Sequence, residues 1–165
     1  FALNPGLDWH IEGTGDFNGD GFDDILWRND IGNVVTLLGE AGGSFIGNVA
    51  FNLNPGLDWH IEGTGDFNGD SVGDLLWRDD DGTVAAWLLD ALGGFLYRGI
   101  GSADDSWQLT DSADASGDGV SDLLWQHDSG TIASWVLDVT GGFTFRSPGS
   151  AGPEWIIQND FTALM

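Results

Sequence analysis

An acidic segment occurs three times in the chain, at residues 16–24, 66–74 and 114–122, which we call loops 1, 2 and 3. In every copy, side chains that carry oxygen occupy relative positions 1, 3, 5 and 9, and position 4 is glycine. Such a run can curl its oxygen atoms around one hard cation, and calcium is the cation that takes six to eight oxygen ligands. Solvation alone could explain one acidic turn. Three copies with the same spacing predict about three bound calcium ions per chain.

The expected ligands in each loop are the side-chain oxygens at positions 1, 3, 5 and 9 and the main-chain carbonyl at position 7. In loop 1 they are Asp16, Asn18, Asp20, Phe22 and Asp24. In loop 2 they are Asp66, Asn68, Asp70, Val72 and Asp74, and in loop 3 they are Asp114, Ser116, Asp118, Val120 and Asp122.

The three loops differ at two positions that matter for binding. Ser71 stands where loops 1 and 3 have glycine, so we expect backbone strain in loop 2. Ser116 is a weaker ligand than asparagine, so we expect loop 3 to bind calcium most weakly. An EF-hand would need a bidentate acid at position 12, where this chain has tryptophan, which excludes the EF-hand and dockerin interpretations.

The charge of the chain restricts its partners and its compartment. It has 27 acidic residues against four arginines and no lysine, a formal net charge of −23. Nucleic acid and anionic membranes are therefore poor partners, because both attract clustered basic residues. There is no cysteine to form a disulfide, and we identify neither a signal peptide nor an apolar run long enough to span a membrane. Loops of this kind fill where calcium is ~millimolar, so we expect an extracellular or cell-surface location.

Internal repeats define the organisation of the chain. Trp9, Trp59, Trp107 and Trp155 open successive units spaced 50, 48 and 48 residues apart, and residues 1–20 and 51–70 differ at one position only. We therefore expect a single repeat domain over residues 1–165. Its parts are the end of a preceding blade at 1–8, three units at 9–58, 59–106 and 107–154, and a first-strand remnant or C-terminal tail at 155–165.

Each unit is expected to contain four short β-strands and no helix. Residues 9–13 alternate apolar and polar side chains, which is the period of a half-buried strand, and the apolar run 24–28 follows the loop. Turns that contain glycine lead to a third strand at 34–38 and a fourth at 44–51, with equivalents in the other units. A four-stranded unit of about 50 residues is the size of a propeller blade. The predicted fold class is all-β, with three full antiparallel blades.

The pattern Trp-x-Ile-x-Gly-x-Gly-Asp-Phe-Asn-Gly-Asp-Gly-x-x-Asp-x-Leu-Trp over residues 9–27 resembles the FG-GAP repeats, also called VCBS repeats in bacterial secreted proteins. The resemblance extends over essentially all of residues 9–150. It implies an integrin-type β-propeller in which each blade binds calcium between its first two strands. Three blades are too few to close a ring, so we expect a second copy that completes a six-bladed ring, or a longer array of which these residues are a part.

Two further groups of residues could bind a ligand, or could have only a structural role. Trp27, Trp77, Trp87, Trp125 and Trp135 could stack on sugars, but they lie in apolar runs and are expected in the core. His10 with Glu12, and His60 with Glu62, could form a second metal pair, but a polar face of the first strand is the favoured interpretation. The C-terminal residues 159–165 suit a type I secretion signal or the start of a truncated blade.

These patterns favour a binding module over an enzyme. There is no cysteine nucleophile and no serine in a nucleophile elbow, and the paired carboxylates are already explained by calcium. The expected function is protein or surface binding or adhesion, with calcium in a structural role. The alternatives are a carbohydrate-binding module and a self-assembling structural unit attached to a secreted enzyme.

Overall fold

The computed structural model describes residues 6–50 and 54–150, and these form three antiparallel β-sheets of four strands each. The first sheet contains β1 (Trp9–Gly15), β2 (Asp24–Asn29), β3 (Val34–Glu40) and β4 (Ser44–Ala50). The second contains β5 (Trp59–Gly65), β6 (Asp74–Asp79), β7 (Thr83–Leu89) and β8 (Phe95–Ser102). The third contains β9 (Trp107–Ala113), β10 (Asp122–His127), β11 (Thr131–Leu137) and β12 (Phe143–Ser150).

This arrangement confirms the predicted fold class. Consecutive strands are neighbours in every sheet, as in a propeller blade, and the described residues include no helix. The three described sheets do not close a ring. No described segment is a helix of the length and hydropathy needed to cross a membrane. Residues 1–5 of the expected preceding blade and the expected remnant at 155–165 lie outside the described residues.

Glycines with positive φ form the turns between the second and third strands. Gly32, Gly82 and Gly130 have φ values of 89°, 87° and 83°, a region that costs other residues about 1–2 kcal/mol. In each turn the glycine N–H donates to the residue three positions earlier, at 2.8, 2.8 and 2.7 Å. A side chain at Gly82 would also lie 2.7 Å from the carbonyl oxygen of Ala103. These glycine turns, which the sequence predicts, therefore determine where the second strand of each sheet ends and the third begins.

Each first strand contains one irregularity in register. Ile11 pairs with Trp27 while Gly13 pairs with Leu26, so Glu12 is an extra residue in β1. Glu62 of β5 and Thr110 of β9 occupy the same place in their sheets. Such bulges bend a strand and increase its twist. Alternation along the first strand therefore breaks at this position, which the sequence pattern did not reveal.

The core lies between the sheets in two layers. One layer joins the first and second sheets and buries Phe17, Leu26, Val34, Val72, Leu75, Trp77, Trp87 and Leu89. The other joins the second and third sheets and buries Phe67, Leu76, Val84, Ala86, Ala103, Val120, Leu123, Trp125, Ala133, Trp135 and Leu137. Trp77, Trp87, Trp125 and Trp135 are buried, which confirms them as core residues, whereas Trp27, also expected in the core, is only half-buried. The first strands also contact one another, β1 with β5 and β5 with β9.

Candidate functional site

The three acidic loops connect the first and second strands of their sheets, as the sequence predicts. Neighbouring loops are joined by backbone hydrogen bonds. Gly73 of loop 2 donates to the carbonyl of Asp16 in loop 1 at 2.6 Å, and Ser121 of loop 3 donates to the carbonyl of Asp66 in loop 2 at 2.7 Å. The loops therefore lie side by side along one edge of the stacked sheets, and a change in one can reach the next.

The position 1 acid lies at the centre of each turn. In loop 1, Oδ1 of Asp16 accepts from the N–H of Gly19 and Oδ2 accepts from the N–H of Gly21, both at 2.7 Å. Asp66 accepts in the same way from Gly69 and Ser71, at 2.6 and 2.8 Å. In loop 3, Asp114 accepts from the equivalent glycines at 2.6 and 2.9 Å. Each loop is thus a tight turn built around a carboxylate.

The side chains at positions 3 and 5 extend this turn. Asn18 Oδ1 accepts from the N–H of Asp20, and Asp20 Oδ1 accepts from the N–H of Phe22, each at 2.9 Å. Loop 2 repeats both bonds. In loop 3, Ser116 does not repeat the bond from position 3, and its hydroxyl lies 3.4 Å from Oδ1 of Asp114. Serine is too short to copy the asparagine geometry, and the expectation that loop 3 binds calcium most weakly stays a prediction.

Loop 2 carries the strain expected at Ser71. The φ of Ser71 is 69°, and it is the one non-glycine residue with positive φ in the described part of the chain. Gly21 and Gly119, at the same position, have φ values of 87° and 88°. All three loops therefore need a left-handed residue after position 5, and serine adopts it at a cost of about 1–2 kcal/mol.

The position 9 acids are buried at the start of the second strand, and each binds backbone N–H groups from two directions. In loop 2, Asp74 is 0% exposed and accepts from Phe67 at 2.8 Å and from Leu89 at 2.7 Å. Asp24 accepts from Phe17 at 3.0 Å and from Gly39 at 2.8 Å. Asp122 accepts from Ala115, Ser116 and Leu137. Position 9 therefore ties its loop to the third strand, a role that the sequence did not reveal.

Burial controls the ionisation of two of the position 9 carboxyls, Asp74 and Asp24. It raises the pKa of Asp74 to about 7. The two backbone hydrogen bonds oppose this rise, and the like charges of Asp70 and Asp66 add to it. The pKa of Asp24 is raised by the same cause. Exposed Asp114 behaves in the opposite way, because the hydrogen bond from Gly119 lowers its pKa. Loops 1 and 2 therefore each contain a buried acid that is costly to ionise.

The donor atoms of the loops suit calcium in type. They are carboxylate, amide, hydroxyl and main-chain oxygens, and a carboxylate that accepts one hydrogen bond keeps further lone pairs. Within residues 6–50 and 54–150, however, no three acidic or histidine side chains converge as a metal ion would require. The loop carboxylates are directed towards backbone N–H groups. For a loop to bind a calcium ion, these carboxylate side chains must therefore rotate, while the backbone turn is already formed.

Position 7, expected to supply a carbonyl, is held differently in the three loops. The side chains of Val72 and Val120 are 6% and 0% exposed and pack into the two core layers. Phe22 is 42% exposed. The main chain at this position is therefore fixed by packing in loops 2 and 3, and less so in loop 1.

The two histidines of the first strands form surface pairs with acids. Nε2 of His10 lies 2.8 Å from Oδ1 of Asp30, and His60 lies at the same distance from Asp80. Glu62 pairs with Arg78 at 3.2 Å. These contacts agree with the polar-face interpretation of the first strand.

Arg98 of β8 is a positioning residue that sequence reasoning missed. Its Nη1 donates to the carbonyl of Phe67 in loop 2 at 2.7 Å, and its Nη2 donates to the carbonyl of Asp138 in the third sheet at 2.9 Å. It therefore links loop 2 to the neighbouring sheet. A signal was present, since Arg98 is one of only four basic residues in a chain with a net charge of −23.

Comparison with known protein families identifies the family that part of this chain resembles. Residues 16–77, from the start of loop 1 into β6, match the family model of the FG-GAP-like repeat. Residues 16–77 are an FG-GAP-like repeat region. This confirms the family resemblance and agrees with the blade topology of the three sheets. The matched range contains loops 1 and 2, and loop 3 lies outside it. No curated protein matches the chain.

Proposed function

We propose that this chain is a calcium-stabilised, β-propeller-like module that works outside the cell, or at its surface, by binding a protein or a surface. In this proposal calcium is structural, and the module displays a binding surface and does not catalyse a reaction. FG-GAP-like repeats with an oxygen-rich loop in every blade support it.

The observation that carries the calcium proposal is the environment of Asp74. This carboxyl is buried, and the charges of Asp70 and Asp66 raise its pKa further. A divalent cation held by loop 2 would offset both effects, because it adds positive charge beside three acids. The residues that would hold it are Asp66, Asn68, Asp70, Asp74 and the carbonyl of Val72, with the equivalents in loops 1 and 3. Calcium would supply charge neutralisation and a tie between the loop and the second strand.

Calorimetric titration of the metal-free chain tests this proposal. We expect about three ions to bind per chain, one per loop. Asp66→Ala should remove one site, whereas Asp90→Ala, an acid in the turn between β7 and β8, should leave all of them. No binding at millimolar calcium would contradict the proposal.

An extracellular location follows from the proposed affinity, since loops of this type fill at ~millimolar calcium. The net charge of −23 disfavours anionic partners. Family resemblance supports a bacterial secreted protein as the source. The ligand we propose is a protein or a glycan, and we propose no nucleic-acid or membrane role.

A specific cavity favours a carbohydrate ligand as the second candidate. It has a volume of about 320 Å³ and lies against the third sheet, with aromatic side chains making up most of its lining. Trp107, Phe143 and Phe145 are half-buried or exposed, whereas Trp125 and Trp135 are buried in the core. The accessible rings can stack on the apolar face of a sugar, and none of the described residues that line the cavity is charged. A neutral monosaccharide should quench tryptophan fluorescence with saturation, and Phe145→Ala should weaken this. An unchanged spectrum across a panel of neutral sugars would contradict the candidate.

The two end sheets supply the second part of the proposal. Ile25, Trp27, Val35 and Leu37 share the outward face of the first sheet and are only half-buried. Leu124 and Ser134 lie half-buried on the outward face of the third sheet. A sheet face of this kind is normally buried against another layer. We propose that further blades cover these faces, from a second copy in a six-bladed ring or from a longer array.

A further inference from the structure

The sheets stack with one fixed polarity. In β6, Trp77 packs towards the first sheet, and its neighbour Leu76 packs towards the third. In β10, Trp125 packs towards the second sheet in the same way. Adjacent residues of a strand point to opposite faces, so the tryptophan of each second strand faces the preceding blade. The two interfaces between the described blades therefore have the same arrangement.

Each of the two interfaces contains one arginine that contacts the tryptophan of the following blade. Arg28, near the end of β2, donates to the carbonyl of Gly56 at 2.8 Å, and its guanidinium carbon lies 5.2 Å from the centre of the Trp77 ring. Arg78, at the same place in β6, donates to the carbonyl of Trp107 at 2.7 Å and lies 5.7 Å from Trp125. Each guanidinium thus lies over the tryptophan of the following blade. It also donates to a main-chain carbonyl just before, or at the start of, the first strand of that blade.

The first sheet presents a tryptophan for which the described residues supply no such arginine. Trp27 occupies the place of Trp77 and Trp125, on the outward face of its sheet. The third sheet, which could cover this face in a second copy, has Gln126 where the other two have arginine. A glutamine side chain has no positive charge and no planar fork of donors. The outward face of the third sheet therefore lacks the arginine that would match Trp27 on the outward face of the first sheet.

We propose that the Trp27 face is a docking surface for a further FG-GAP-like blade whose second strand ends in Trp-Arg. Such a blade reproduces both described interfaces, whereas the third sheet of a second copy does not. This inference extends the proposed function only in the identity of the covering blade, and it does not depend on calcium being the ion. It favours a longer array over a ring closed by two identical chains.

Substituting Gln126→Arg in the full chain creates the missing partner and tests the inference. Sedimentation equilibrium over a range of concentrations, in calcium, should show that Q126R self-associates at least about tenfold more tightly than the wild type. The gain should disappear in the double variant with Trp27→Ala. Gln126→Lys should give a smaller gain, because lysine lacks the planar fork.

Equal self-association of Q126R and the wild type would overturn the inference. So would a gain that survives Trp27→Ala, or an equal gain from lysine, because the arginine would then act elsewhere or as charge alone. Thermal melting of each variant in calcium is the control for folding, since Arg28 and Arg78 show that this position accepts arginine. Repeating the melts in chelator tests the calcium proposal separately, because its failure would leave Tm unchanged by the chelator and would not alter the difference between variants.

Discussion

The buried carboxylate of Asp74 accepts a 2.7 Å hydrogen bond from the backbone N–H of Leu89, fifteen residues later in the chain. Its other oxygen accepts from Phe67 at 2.8 Å, inside loop 2. One side chain therefore joins the loop, the start of β6 and the end of β7. Asp24 and Asp122 make the equivalent bonds in their sheets. The acid at position 9 is thus part of the blade itself, with or without an ion.

Removing this carboxylate should destabilise the chain even without calcium. Asp74→Ala leaves two buried N–H groups without their acceptor, and each costs about 1–3 kcal/mol. We expect a loss of roughly 3 kcal/mol in the free energy of unfolding, measured by urea denaturation in chelator. Asp70→Ala, at an exposed position of the same loop, is the matched control and should cost less than about 1 kcal/mol. Similar losses from both would refute the structural role of position 9.

Ser71 gives a second prediction, because loops 1 and 2 differ there. Ser71→Gly should stabilise the chain by about 0.5–1 kcal/mol, since relief of the left-handed strain exceeds the entropic cost of glycine. Gly21→Ser places the same strain in loop 1 and should destabilise the chain by a similar amount. Thermal melting in chelator measures both. A loss of stability in Ser71→Gly would mean that the serine side chain contributes more than its backbone costs.

The strands were predictable from sequence because local chemistry sets them. Alternation in β1, the apolar run of β2 and the glycine turn at Gly32 placed these elements to within a few residues. Burial of Trp77 and Trp125 also followed from their apolar surroundings.

Contacts between distant segments could not be predicted in the same way. The bulge at Glu12 depends on register with β2, and the bond from Gly73 to Asp16 depends on how two blades stack. The second role of Asp24 requires Gly39 to lie beside it, which spacing along one loop does not show. The positions of the three loops could therefore be predicted from the sequence, but the hydrogen-bond partners of their side chains could not.

The raised pKa of Asp74 predicts an unusual pH dependence in chelator. The folded-state pKa of Asp74, about 7, lies above its usual value of 3.8, so the folded state binds the proton more tightly. The contribution of Asp74 to stability is therefore complete below pH ~4 and is lost as pH rises towards 7. We expect the metal-free chain to melt at a higher temperature at pH 5 than at pH 7.5.

Calcium should reduce or reverse this trend, because the ion binds the ionised carboxylates and competes with protons. Asp74→Asn is the control that isolates this group, since asparagine does not titrate and should flatten the curve in chelator. A pH profile in chelator that Asp74→Asn leaves unchanged would show that other acids control the stability.

The loops should also differ in their need for individual ligands. Asp20→Ala removes a central charged ligand and should weaken calcium binding at loop 1 by more than tenfold, roughly the effect of 1.4 kcal/mol. Ser116→Ala removes only a neutral hydroxyl and should weaken loop 3 by less. Calorimetric titration of both variants compares the two losses. Equal losses would mean that the ligand set assigned to loop 3 is incomplete.

Thermal melting with and without a chelator tests the calcium proposal most directly. At a calcium concentration about 100 times Kd, each filled loop stabilises the fold by roughly 2.7 kcal/mol. For a chain of this size each kcal/mol moves Tm by about 2–4 °C, so chelation should lower Tm by more than about 10 °C. Added calcium should restore Tm, whereas magnesium at equal concentration should restore it less. An unchanged melting curve in a verifiably metal-free sample would show that the three acidic loops are not structural calcium sites.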